Sequence, residues 1–128
     1  MPQYAMIVYS PAPADPEAMS AEHLAALSGY PEQAKALKGK VLGGTYFAKE
    51  RGFALSPSTE AMAVRGDTAR SGTIAGSELV VAAFYVLAAP SIEVAVEIAK
   101  LHPATADGGV EVRPLFVPPG QTQDDYAD

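Results

Sequence analysis

The sequence predicts an α+β fold, a ferredoxin-like sandwich in which two helices pack on an open sheet, with one strand more than that plan requires. Three observations predict it. Strand-forming and helix-forming runs follow one another in the order β, α, β, β, β, α, β. The run "ELVVAAFYVLA", Glu78 to Ala88, shows no polar alternation, so it is a central strand with something packed on both faces of its sheet. Two helices cover only one of those faces. The simplest cover for the other is a second copy of the same sheet, which predicts a homodimer enclosing a mostly apolar cavity between two curved sheets.

Each element has its own signal. "QYAMIVY", Gln3 to Tyr9, is a short strand stopped by the prolines of "SPAPADP". Asp15 before Pro16 reads as a cap with a first-turn proline, and Leu24, Leu27, Ala34, Leu37 and Val41 recur at the steps of one helix face. Pro31 interrupts that helix and favours a break, with a second helical segment at "PEQAKALK". Gly39 stops it. "KVLGGTYFAKE" follows as a strand in which Gly43 and Gly44 mark a bulge or a close backbone approach. In the turn-rich middle, "EAMAVR" is a short strand closed by Gly66 and Asp67. Beyond the central strand, Ser91 after Pro90 caps a second helix, "IEVAVEIAKL", whose Ile92, Ala95, Val96 and Ala99 share a face. "GGVEVRPLF" is the last strand. The result is one domain over residues 1–117 and a polar, prolyl, acidic tail over 118–128, either disordered or laid along a neighbour.

Composition excludes several function classes. The net charge of −6 repels a phosphate backbone, so nucleic acid is not an expected partner. Without cysteine there is no disulfide framework, no thiolate metal site and no cysteine nucleophile, and the absence fits a reducing cytoplasm. Two histidines far apart in sequence give no metal signature, and no phosphate-binding glycine loop or nucleophile elbow is present. The N-terminus lacks the features of a secretory signal, and the longest apolar run falls well short of the ~20 residues that span a bilayer, so no membrane partner is expected.

The stretch "SGTIAGSELVVAAFYVLAAPSIEVAVEIAKLHPATADGGVEVRPLF" resembles the YCII-related, DGPF-type proteins. Their sequences run from an Asp-Gly-Pro-Phe motif through a Gly-Gly-Tyr-Tyr strand and a helix to a Val-Glu-Val-Arg-Pro ending. With "MIVY", the helix containing His23 and the "LGG" of Leu42 to Gly44, the likeness covers Tyr4 to Phe116. It implies a dimeric α+β barrel of small-molecule enzymes and ligand binders, some similar to muconolactone isomerases and chloromuconolactone dehalogenases, which abstract protons and eliminate. The motif is degenerate here: its Asp, Gly, Pro and Phe fall on Ser71, Gly72, Thr73 and Ile74, and the paired glycines on Ala82 and Ala83. The helix-one histidine of many relatives corresponds to His23, whereas their partner aspartate has no match around "LKGKVL".

Six residues are candidates for the site. Glu111 and Arg113 are two apart in a strand, hence on one face about 7 Å from each other. Either they form an exposed charge pair, or they line the cavity, Arg113 binding a carboxylate or phenolate and Glu111 moving a proton. His102 is either a cation at the end of helix two or a base sharing a site with Glu111. His23 is a partly buried structural imidazole or a base. Tyr85 is a core phenol or a cavity donor, and Ser71 a loop hydroxyl or a ligand contact. The expected function is cofactor-free acid–base chemistry on a small molecule, by isomerisation, elimination or cyclisation. The alternative is a non-catalytic ligand-binding or regulatory dimer.

Overall fold

Alternation decides which side of the first strand is buried. In β1 (Gln3–Pro11), Tyr4, Met6 and Val8 point one way into the core, and Ala5, Ile7 and Tyr9 point the other way and are half-buried. The computed structural model describes residues 1–42 and 52–123. Helix α1 (Ala21–Ala36), β2 (Lys40–Leu42), β3 (Phe53–Ala54), β4 (Met62–Arg65), β5 (Thr68–Ser71), β6 (Leu79–Ala88), α2 (Ile92–Lys100) and β7 (Gly109–Pro114) follow in chain order.

The main sheet is antiparallel. β6 lies between β1 and an edge formed by β2 and β3, and β7 pairs with the other side of β1. That strand order, with both helices on one face, is the ferredoxin-like α+β arrangement. Register shows which residues share the helix face: Leu87 lies opposite Tyr4, Tyr85 opposite Met6 and Ala83 opposite Val8. They join Tyr30 and Ala34 of α1 and Ala95, Ile98 and Ala99 of α2 in one core. A bulge follows, because Val8 pairs with Ala83 but Tyr9 with Val81, so Ala82 is left over.

Several local expectations need correction. The helix does not break at Pro31: α1 runs through it. The proline forfeits one hydrogen bond, to the Leu27 carbonyl, but Tyr30 and Ala34 on either side of it are fully buried, and that packing outweighs the lost bond. Asp15 caps a separate short 3-10 turn, Pro16–Ala18, and α1 itself is capped by Ser20, whose Oγ accepts from the His23 N–H at 3.0 Å. The stripe that α1 buries passes through Tyr30 and Ala34, whereas Leu24 and Leu37 stay exposed. In α2 the Ser91 cap is present, but Ile98 rather than Val96 is buried with Ala95 and Ala99.

The additional strand is not part of the main sheet. β4 pairs only with β5, a strand the sequence reading missed, in a separate hairpin. The expected strand continues past Leu42 through Gly43, Gly44 and Tyr46, and those positions lie outside the described residues, as does the tail from 124 to 128.

Among the described residues the second face of the central strand is only partly covered, by Phe53 and by Leu55, Pro57 and Ile74 near its start. Phe84, stacked on Phe53 with ring centroids 4.8 Å apart, is 40% exposed, and Val81 and Leu79 are also exposed. Glu111 and Arg113 sit on this same open face, opposite Ile7 and Ala5.

One buried hydrogen bond joins the two helices. The Tyr30 hydroxyl donates to the Ile98 carbonyl at 2.7 Å. Tyr30→Phe removes that donor while the Ile98 carbonyl keeps the Leu101 N–H at 3.1 Å, and we expect a loss of about 0.5–1.5 kcal/mol in urea unfolding with an unchanged m-value.

Candidate functional site

Between α1 and the helix face of the sheet lies a cavity of about 340 Å³. It exists because the sheet side carries small residues there: Ser10 on β1, Ala82 and Ala83 at the bulge of β6, and Gly52 before β3. Gly52 lies so close to Tyr85 that a Cβ there would come within 2.5–2.7 Å of three ring carbons. Met19 and the Leu24, Leu27 and Pro31 side of α1 form the apolar opposite wall. The titratable groups in the lining are His23, Tyr85 and His102.

His102 is held from three sides. It ends the turn after α2, is 3% exposed, and its Nδ1 accepts the Ala104 backbone N–H at 3.1 Å. Its Nε2 lies 3.0 Å from the Tyr85 hydroxyl oxygen. Its ring packs edge-on against Tyr30 at 5.0 Å and Tyr85 at 5.4 Å. A nitrogen that accepts an N–H must present a lone pair, so the neutral ring carries its hydrogen on Nε2. Nε2–H therefore donates to the Tyr85 oxygen. Burial, with a further push from nearby His23, lowers the His102 pKa from 6.5 to about 4. Burial raises that of the Tyr85 phenol to about 12, and that of Tyr30 higher still. The dyad is uncharged at neutral pH.

The six sequence candidates fall in three places. His23, Tyr85 and His102 come together around the cavity. Glu111 and Arg113 do not join them. They pair with each other at 2.8 Å on the open face, with side chains 42% and 72% exposed, so the expected meeting of His102 and Glu111 does not occur. The physical reason is strand parity: Val110 and Val112 take the core-facing positions of β7, which sends Glu111 and Arg113 to the other side. Ser71 is exposed on β5, its hydroxyl facing Met62 Sδ at 3.9 Å. His102 is not an exposed cation at a helix end but a buried neutral ring.

Sequence reasoning missed Tyr30, Gly52 and the Ala104 amide. A signal for Tyr30 was available, since His23, Leu27, Tyr30 and Ala34 recur at helical spacing and mark the stripe that faces the sheet. A second cleft of about 520 Å³ lies beyond the start of β6, lined by Leu55, Pro57, Ile74, Leu79 and Val81. Among the described residues no three His, Asp or Glu side chains cluster as metal ligands, and no helix is long and apolar enough to cross a membrane.

A family model for the YCII-related domain matches residues 3–117. The chain belongs to the YCII-related family. A search of curated proteins finds no match. Within this YCII-related domain the degenerate motif, Ser71 to Ile74, lies away from the Tyr85–His102 cavity; its Thr73 and Ile74 line the second cleft. The alanines standing for the paired glycines, Ala82 and Ala83, line the main cavity together with His23.

The neutral dyad makes stability depend on acid. Unfolded, the His102 imidazole takes a proton near pH 6.5; folded, it does so only near pH 4. The unfolded state thus binds more protons between those values, and the stability contributed by the neutral ring is present above pH 6.5 and lost as pH falls toward 4. We expect urea unfolding of the wild type to lose roughly 3 kcal/mol more over that interval than a His102→Gln variant does, the variant subtracting the contribution of the carboxylates.

Proposed function

We propose that this YCII-related domain binds a small molecule in the cavity between α1 and the sheet and transfers a proton within it without a cofactor, by isomerisation, elimination or cyclisation. The observation that carries this reading is the convergence of His23, Tyr85 and His102 on one mostly apolar, partly enclosed space. Of the two imidazoles in the lining, His102 has both ring nitrogens engaged, by the Ala104 N–H and the Tyr85 oxygen, so His23 is the proton carrier. At neutral pH His102 takes no proton at Nε2, which already carries one, or at Nδ1, which faces an N–H. It holds Tyr85 in place instead.

A non-catalytic ligand-binding role is the second reading. It is favoured by the absence of any carboxylate from the described cavity lining and by serine at the position of the motif aspartate. The two readings differ in what happens to the ligand.

The same proposal includes a homodimer. The exposed apolar band of Leu79, Val81 and Phe84 on a long central strand is the surface a second copy would cover. Glu111 and Arg113 then lie at that interface rather than in the ligand cavity.

Mass spectrometry of small molecules released from the native protein tests the location. A cavity-filling Leu27→Trp variant is expected to lose the bound compound and Arg113→Ala to retain it; the reverse pattern moves the site to the open face. Incubation of the loaded protein in heavy water then separates the readings, since deuterium entering a carbon position of the ligand supports proton transfer and an unchanged mass supports a binder. For the dimer, light scattering on dilution to micromolar concentration is expected to give twice the chain mass, reduced to a single chain by Phe84→Glu; a monomeric wild type contradicts it.

A further inference from the structure

We infer that the cavity selects an uncharged molecule through one hydrogen bond, donated by the Tyr85 hydroxyl to an acceptor oxygen such as a carbonyl, and that His102 is the positioning residue that aims this donor. The inference rests on the small-molecule site proposed above and names what that site takes.

The direction of the hydrogen bonds carries the first half. The Ala104 N–H at 3.1 Å reserves the Nδ1 lone pair of His102, which puts the ring hydrogen on Nε2, and Nε2 lies 3.0 Å from the Tyr85 oxygen. That oxygen is therefore an acceptor toward His102, and its own hydrogen must point elsewhere. Among the described residues the Tyr85 hydroxyl has no other hydrogen-bond partner. Neighbouring Tyr30 spends its own hydrogen on the Ile98 carbonyl at 2.7 Å. A buried hydroxyl hydrogen at the wall of a cavity calls for an acceptor, and the cavity is where one can come from.

The lining carries the second half. No Lys, Arg, Asp or Glu is among its described residues. Among the described lining residues a bound carboxylate or ammonium would meet no carboxylate, ammonium or guanidinium partner, and taking such a charge out of water unpaired costs several kcal/mol. Of the polar rings in the described lining, His102 is held neutral by the Ala104 N–H and Tyr85 is a phenol. Met19, Leu24, Leu27 and Val8 are matched to the hydrocarbon part of a small ligand.

The experiment uses three probes of one size and different chemistry: acetophenone, which carries a neutral acceptor oxygen, ethylbenzene, which carries none, and benzoate, which is charged. Each is titrated by NMR into the wild type, Tyr85→Phe and His102→Gln. Acetophenone is expected to lose about fivefold or more in affinity in both variants, the value of one hydrogen bond, while ethylbenzene is unchanged. Benzoate is expected to bind the wild type at least tenfold more weakly than acetophenone. If the variants weaken acetophenone and ethylbenzene alike, or neither, the donor assignment is overturned while the site stands. Tighter binding of benzoate overturns the neutral selection, again leaving the site. Binding of none of the three at millimolar concentration overturns the site and the inference together. A measurement on the wild type alone guards against a variant that misfolds: the ¹⁵N spectrum of His102 is expected to show the Nε2–H tautomer at pH 7, and an Nδ1–H tautomer overturns the inference.

Discussion

The structure depends on the way His102 is buried. An imidazole in the core must satisfy two ring nitrogens, and here one is met by a backbone amide four residues from the end of α2 and the other by a phenol on the central strand. Tyr30, from α1, closes the group by packing edge-on against the ring and bonding the last turn of α2. Two helices, the strand β6 and the turn before β7 therefore meet in one cluster of three aromatic rings. Each member needs the others: without Tyr85 the Nε2–H is buried with no acceptor, and without the Ala104 amide the tautomer is no longer held.

The cavity is a consequence of that cluster. Tyr30, Tyr85 and His102 keep α1 propped off the sheet at one end, and where the sheet then carries alanine, serine and glycine there is nothing to fill the space beneath Leu24 and Leu27. The bulge at Ala82 sits at the same place, as bulges often do beside functional sites. The open face is a different surface with a different role. Its aromatic pair and its Glu111–Arg113 bridge are separated from the cavity by the thickness of the sheet, so contacts made by one face leave the chemistry of the other intact.

Much of this was legible from the chain. The central strand, the Ser91 cap and the two-helix sandwich follow from hydrophobic patterning, whereas the cavity lined by His23, Tyr85 and His102 lies between α1 and the sheet rather than between two sheets as expected. What failed, failed for physical reasons. Pro31 costs one hydrogen bond, and propensity cannot weigh that against the burial of Tyr30 and Ala34, which only tertiary packing reveals. The polar alternation of "VEVR" shows that Glu111 and Arg113 share a face but not which face, and the choice fell to Val110 and Val112. The hairpin partner of β4, "TARS", is exposed throughout and has Ala69 as its one apolar residue, so no apolar pattern marks it. The role of Gly52 depends on a tyrosine more than thirty positions away, which no local signal encodes.

The central claim is that a backbone amide holds the buried imidazole in one tautomer, and hydrogen exchange at the Ala104 amide tests it most directly. The account predicts that this amide exchanges as slowly as the paired amides of β1 and β6, and that replacing His102 by glutamine removes the protection. Exchange in the wild type as fast as in an unstructured peptide would mean that the amide is not bonded to the ring, and the cluster would have to be reassigned.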